Sequence, residues 1–312
     1  VGQQKVQVFL LQELAQAIYQ ALRFDFDPAR AAALSALQFA LCAGAVALGW
    51  RALQVQGFGA GLGRRMAIPA PGGWRRAGDA LAITLAAVFL LLPLGAVLGR
   101  GVAGLTDLPP GLGLALLRSV SVALASTLIT SAAALTLALA VAARGARLLE
   151  VAAMLPLAAS ALVLGTGLFL ILRPWVRAED LALPVTILVN STLSLPFVYR
   201  LLLPQAQAMQ ADFGRLADSL SLRGVARLRW LVLPRLARPL GFGAGIAAAL
   251  SMGDLGVITL FAGESGATLP LYVHRLMGAY RMEAASAAAL ILVGASFALF
   301  ALFDLWGRRA AS

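Results

Sequence analysis

The sequence predicts an all-α, polytopic membrane protein with about seven membrane-spanning helices. Three observations carry that expectation. Of 312 residues, 61% are hydrophobic and only 12% are charged, against about 25% charged in a soluble domain. The mean hydropathy is +0.87. The apolar residues fall in long runs rather than in stripes of helical period, so there is no polar face to present to water.

About 20 apolar residues cross the roughly 30 Å hydrocarbon core. Seven such runs follow one another, at 31–50, 81–98, 120–142, 151–172, 183–203, 240–261 and 284–305. The first and last end in arginine, at Arg51 and at Arg308-Arg309. The fourth and fifth contain Pro156 and Pro196, which predict kinks that neighbouring helices can re-satisfy. The sixth carries Gly241, Gly243 and Gly245, which allow close helix approach. Cys42 is the single cysteine and forms no intrachain disulfide. His274, the single histidine, has no companions that would make a metal site. Met154 and Met252 read as packing. The chain opens on Val1 with no start methionine or cleavable signal pattern, which points to a truncated chain.

The net charge of +11 is distributed by loop. Seven spans place alternate loops on alternate sides. One set comprises 51–79, 144–150, the region around 217–234 and the C-terminus. It holds 16 of the 25 Lys and Arg but 5 of the 14 acids. Excess arginine marks the cytoplasmic side, which puts residues 1–30 outside, the Gly/Arg/Pro-rich linker 51–78 inside, and the C-terminus inside. The charge is thus explained without nucleic acid.

The chain also resembles itself at an offset of 253 residues. Ile18-Tyr19 matches Leu271-Tyr272, Ala31-Ala32 matches Ala284-Ala285, and Leu37 matches Leu290. Repeats of this kind are common in transporters. The expected organisation is the tail of a first unit at 1–50, a linker at 51–78, and a complete six-span unit at 79–312, with five preceding spans outside this chain.

The segment Ala217–Pro234, ADSLSLRGVARLRWLVLP, is basic and amphipathic between two apolar runs. Leu216, Leu220, Leu228 and Leu231 recur near helical spacing and are candidates to face a groove. Gly224 permits a turn, and Pro234 closes the segment. Arg215, Arg223, Arg227, Arg229, Arg235 and Arg238 hold it near anionic headgroups. A docking helix and a helix lying on the bilayer both fit.

This stretch resembles the coupling loop of the permeases of ABC importers, whose pattern reads E-A-A, three residues, G, nine residues, I-x-L-P. Anchored on Leu231-Val232-Leu233-Pro234, the glycine position falls on Ser221 and the E-A-A on Arg215-Leu216-Ala217. The third small residue and the L-x-L-P ending are kept; the acid and the glycine are not. The run Ser251–Phe261 (SMGDLGVITLF), then Thr268–Tyr272 (TLPLY), is similar to the thiamine-serving branch of that family. So is Ala17–Leu22 (AIYQAL) with Asp27–Ala32 (DPARAA).

The resemblance implies a type I ABC importer permease fold in the bacterial inner membrane, with a cytoplasmic C-terminus. It implies a coupling loop at 205–239, in which Arg215, Leu216, Ala217, Asp218, Ser219, Leu220, Ser221, Gly224, Leu233 and Pro234 are the candidate residues. Leu216 and Leu220 would supply apolar contacts, and Asp218, Ser219 and Ser221 polar ones. It implies a cytoplasmic ABC ATPase dimer holding ATP and Mg, a periplasmic substrate-binding protein, a first permease half, and no cofactor in this chain. The implied cargo is thiamine or its phosphates. Ferric iron and oxyanion permeases carry similar runs.

Asp254 lies in the sixth run, where an ionisable side chain costs roughly 2.5–3.5 kcal/mol on insertion scales. It is a candidate for the solute path and equally for satisfying a helix break at Gly253 and Gly256. Asn190 and Ser191 are candidates for lining the same path or for bonding between helices. The external stretch 270–280 is amphipathic and suits an outer interface or docking role. No G-x-x-x-x-G-K-[ST], H-E-x-x-H or G-x-S-x-G pattern occurs, which argues against an ATPase or an intramembrane enzyme. An ion-coupled secondary transporter stays open.

Overall fold

The computed structural model describes residues 17, 20–21, 28–53, 74–106, 109–172, 174–261 and 266–311. Most of the segment 1–30, and most of the 51–78 linker, therefore lie outside the described residues. All regular structure among the described residues is helical. That follows from the apolar runs, since a chain in hydrocarbon must satisfy its backbone internally.

Helix α1 is Pro28–Leu53 and α2 is Trp74–Ala103. The 33-residue α3, Leu112–Arg144, is followed by the short α4, Arg147–Met154. Pro156 sits in a 3-10 turn at Leu155–Ala158, and Ala159 is extended. The Ser160 hydroxyl then accepts the Val163 N–H at 3.2 Å, opening α5 at Ala161–Leu172. The two arms, Leu148–Ala158 and Ala161–Leu172, meet at 96°. The run expected to be one kinked span is thus a right-angled pair. A proline without an N–H and a serine that caps the next helix together explain the break.

Helix α6 runs unbroken for 42 residues, Ala178–Ser219, through Pro184, Pro196 and Pro204. After a four-residue turn come α7, Gly224–Arg227, a π turn at Leu228–Val232, and α8, Leu233–Met252. The sixth expected span reaches only Met252; Gly253 to Val257 form the break, and α9 is Ile258–Phe261. Helices α10, Leu269–Gly278, and α11, Met282–Ala310, finish the chain. By length and apolar composition α2, α3, α6 and α11 can each cross a membrane, and the bent pair makes a fifth if it counts as one span. Helices α1 and α8 cover the first and sixth expected runs, with Arg235 and Arg238 in the first turns of α8.

The centre is a bundle in which α3, α6 and α8 all touch one another. Its packed core includes Ala138, Val198, Tyr199, Leu202, Leu236 and Ala247, all almost fully buried. Helix α11 lies against α8, α2 against α11, and α1 against α5. Lipid tails give no hydrophobic drive for these pairings, so close van der Waals contact must supply it. A β-carbon on Gly241 would lie 2.6 Å from the Gly307 Cα and 2.6 Å from the Phe303 carbonyl oxygen. Backbone meets backbone there because neither helix has a side chain in the way. Helix α2 is the opposite case. Its C-terminal end meets α11, but none of its most apolar stretch is buried, and Ile83, Phe89 and Leu92 are exposed. Such a face requires lipid or another protein.

Gly241→Val should separate α8 from α11 and cost roughly 1–3 kcal/mol, the usual range for overpacking. A lowered thermal midpoint in detergent is the expected reading; an unchanged midpoint would mean the two helices do not meet as described.

Candidate functional site

Two places hold the residues singled out in the sequence: a hairpin at the end of α6, and a polar cluster with a cavity at the middle of the bundle.

The hairpin is built by the way α6 stops. The Leu222 N–H donates to the Ala217 carbonyl at 2.9 Å and the Ser221 N–H to the Asp218 carbonyl at 3.0 Å. This crossed pair satisfies carbonyls that a helix end leaves orphaned, and it requires a left-handed residue, usually glycine. Ser221 takes that role with φ 53°. The position where the importer pattern has its glycine thus keeps the glycine conformation without the glycine. Gly224, with φ 54°, makes the second turn and starts α7.

The segment then folds back on α6. Arg227 donates to Gln210 Oε1 at 2.8 Å and to Asp218 Oδ1 at 3.3 Å. The Arg235 guanidinium stands 4.2 Å from the centre of the Phe213 ring. Asp218 is largely exposed, so its ion pair contributes little by itself. The backbone bonds, the amide contact and the stacked guanidinium fix the shape.

Of the candidate residues, Arg215, Leu216, Asp218, Ser219, Leu220, Ser221, Gly224 and Pro234 are exposed, Leu233 is half-buried, and Ala217 is buried. Ser219 spends its hydroxyl on the Leu216 carbonyl, 2.8 Å away. Leu231 does not join the exposed set. It is half-buried and packs against the bundle core. The sequence reading missed Val225 and Trp230, which are 79% and 70% exposed. With Leu216 and Leu220 they give the hairpin an apolar surface ringed by arginines. An exposed tryptophan inside a basic stretch is the signal that marks it. The 205–239 region is therefore mostly helix: α6 continues through it to Ser219, and Pro234 sits in the first turn of α8.

At mid-bundle, the Asn190 Nδ2 donates to Ser251 Oγ at 3.0 Å, and Ser126 Oγ bonds to Ser251 Oγ at 2.9 Å. Thr130 Oγ1 donates to the Ser191 carbonyl at 3.1 Å, and Ser191 Oγ lies 2.6 Å from the Ile187 carbonyl and 3.2 Å from that of Ser126. These groups join α3, α6 and α8. Ser191 is spent on such bonds. Asn190 also borders a cavity of about 200 Å³ together with Ser194, Phe197, Ser251 and Asp254. Asp254 Oδ1 accepts the Gly256 N–H at 3.3 Å, which stitches the break after α8. Its Oδ2 is buried with no partner among the described residues. The carboxylate thus serves the break with one oxygen and has the other to spare beside the cavity. No group of three or more potential metal ligands occurs among the described residues.

No protein-family model matches the chain. It is 36% identical over 309 residues to the thiamine transport system permease protein of Salmonella typhimurium, covering 94% of this chain and 57% of that protein. Against the protein of the same name from Brucella suis it is 35% identical over 314 residues, 96% of this chain and 56% of the relative. A sulfate transport system permease protein from Synechococcus elongatus is 27% identical over 168 residues, half of this chain and 59% of that protein. The chain thus spans a little over half the length of the thiamine relatives it matches, and the resemblance read from its sequence holds along almost all of it.

Ser221→Gly should remove a left-handed strain of about 1 kcal/mol. Hydrogen exchange at the Leu222 amide should slow; unchanged exchange would mean the turn is not set by Ser221.

Proposed function

We propose that this chain is permease machinery of an ATP-driven importer for thiamine or its phosphates. The observation that carries this reading is the exposed hairpin after α6, in a chain similar to thiamine transport permeases over 94% of its length. Residues 79–312 would act as a six-span permease unit working against a second unit. The hairpin at 216–230 would seat in a groove of a cytoplasmic ATPase pair, and a periplasmic binding protein would deliver the solute. ATP hydrolysis would fall to the ATPase partners, with the C-terminus on their side of a bacterial inner membrane.

The mechanism rests on how α6 is built. One unbroken helix joins the Asn190 cluster to the Leu216–Leu220 surface. An ATPase that grips the hairpin differently in its two nucleotide states would therefore move the cavity wall. ATP can bias the permease only through such a difference in affinity. Leu216, Leu220, Val225 and Trp230 would supply the buried apolar contact, and the arginines around them the orientation. On the solute path, Asn190 and Asp254 would offer a hydrogen-bonding amide and a carboxylate to a cationic ring.

The test is ATP-dependent uptake of labelled thiamine by proteoliposomes that contain the complete permease, its ATPase and its binding protein. Uptake that proceeds without ATPase would favour an ion-coupled transporter instead. Leu220→Glu should uncouple ATP hydrolysis from uptake, lowering uptake about 10-fold or more, the loss expected when a charge is buried at an apolar contact. Normal uptake by that variant would remove the hairpin from the mechanism. Asp254→Asn should keep assembly and basal ATPase activity and lose uptake if the spare oxygen meets the solute. Loss of assembly would assign the carboxylate to the break alone.

A further inference from the structure

At the end of the bundle away from the hairpin, α10 is pinned to the start of α3. The Leu269 N–H donates to Ser119 Oγ at 2.7 Å, and the Tyr272 hydroxyl to the Pro110 carbonyl at 2.9 Å. Leu112, Ala115, Leu269 and Leu276 pack beneath this joint. Above it lies a cavity of about 420 Å³ lined by Arg118, Arg275 and Arg281, with Tyr272 and Gly111 on its walls. That volume lies within the roughly 300–1,000 Å³ of small-molecule sites. No carboxylate is among the described residues that line it.

Three features single this cavity out. Three arginines converge here, Arg118 from α3, Arg275 from α10 and Arg281 from just after it. Arg118 and Arg275 are half-buried, so their charge is less screened than at an open surface. Each also makes a further interaction; with five N–H donors apiece, both retain capacity for a ligand. The first turn of α3 borders the same cavity at Gly111 and Leu114, and its dipole adds positive potential.

We infer that this cavity binds the phosphate end of a small solute, a monophosphate or diphosphate ester. Planar guanidinium groups match phosphate oxygens in pairs, and Tyr272 offers a flat face to a ring attached to the phosphate. The two hydrogen bonds between α10 and α3 hold the walls before the ligand arrives, so little order has to be created on binding. The inference rests on the importer reading only for the solute's identity, where it selects phosphorylated thiamine over thiamine. The phosphate chemistry stands without it.

The test titrates inorganic pyrophosphate against the full permease, without ATPase subunits, in nanodiscs of neutral phosphatidylcholine. Saturable binding is expected. Arg118→Gln with Arg275→Gln should weaken it roughly 30-fold, as loss of charge-assisted bonds implies. Arg118→Lys with Arg275→Lys should fold equally well and bind more tightly than the double glutamine variant but less tightly than the parent, because an ammonium keeps the charge and loses the paired geometry. Absence of saturable binding, or equal binding by the double glutamine variant, overturns the inference. So does the finding that the arginines hold only phosphatidylglycerol when that lipid is added, since the occupant would then be a headgroup. A reconstituted importer that takes up neither thiamine nor its phosphates would sink the functional reading and leave the pyrophosphate result untouched.

Discussion

The structure depends on how closely three apolar helices can approach in a solvent that does not push them together. Water drives soluble helices into contact; lipid does not. Here contact comes from missing side chains and from a few polar groups placed where helices cross. Val198 of α6 sits against Gly243 of α8, and Phe300 of α11 against Gly245. Ser126, Asn190 and Ser251 add hydrogen bonds at a level where α3, α6 and α8 meet. The α11 contact, the wall of the small cavity and the placing of the helix break all inherit their geometry from that crossing.

From that level α6 extends as a single rod to the hairpin. At 1.5 Å per residue, the helix between Asn190 and Ser219 spans roughly 44 Å, more than the thickness of the hydrocarbon core. A rod carries displacement between its ends only if it does not bend between them, and Pro196 and Pro204 are a threat to that stiffness. It nevertheless stays helical, because a proline removes one backbone bond while the rest of the ladder and the packed neighbours persist. The hairpin is rigid for a different reason: its turns are closed by backbone bonds and its return arm is held by Arg227 and Arg235.

Much of this was legible in the sequence. Apolar runs gave the long helices, since hydrophobicity over 20 residues has few other structural meanings. Gly253 and Gly256 gave the break around Asp254, and the glycine triplet gave the α8 contacts. Other features were not legible because they depend on tertiary context. The proline by itself does not distinguish Pro156, where the chain turns through a right angle, from Pro196, where α6 continues. The neighbouring residues decide the outcome: Ser160 can cap a new helix, whereas Leu195 and Val198 pack into one already formed. Leucine spacing placed Leu231 with Leu216 and Leu220, because counting assumes 3.6 residues per turn throughout. The turn at 220–223, where the chain folds back on α6, defeats the count. Ser191 read as a candidate for lining the path or for bonding between helices, and its hydroxyl bonds to neighbouring carbonyls.

The looser winding at Leu228–Val232 bears on how such a chain can vary. A π turn carries one residue more than the α-helix it interrupts. Removing a residue between Leu228 and Val232 would let the turn tighten into ordinary helix, leaving every position from Leu233 onward facing the neighbour it faces now. The same deletion made within α8 would swing all later side chains of that helix by about 100° and take the glycines out of their crossings. The hairpin therefore has one residue of slack, and its length can drift without disturbing the helix behind it.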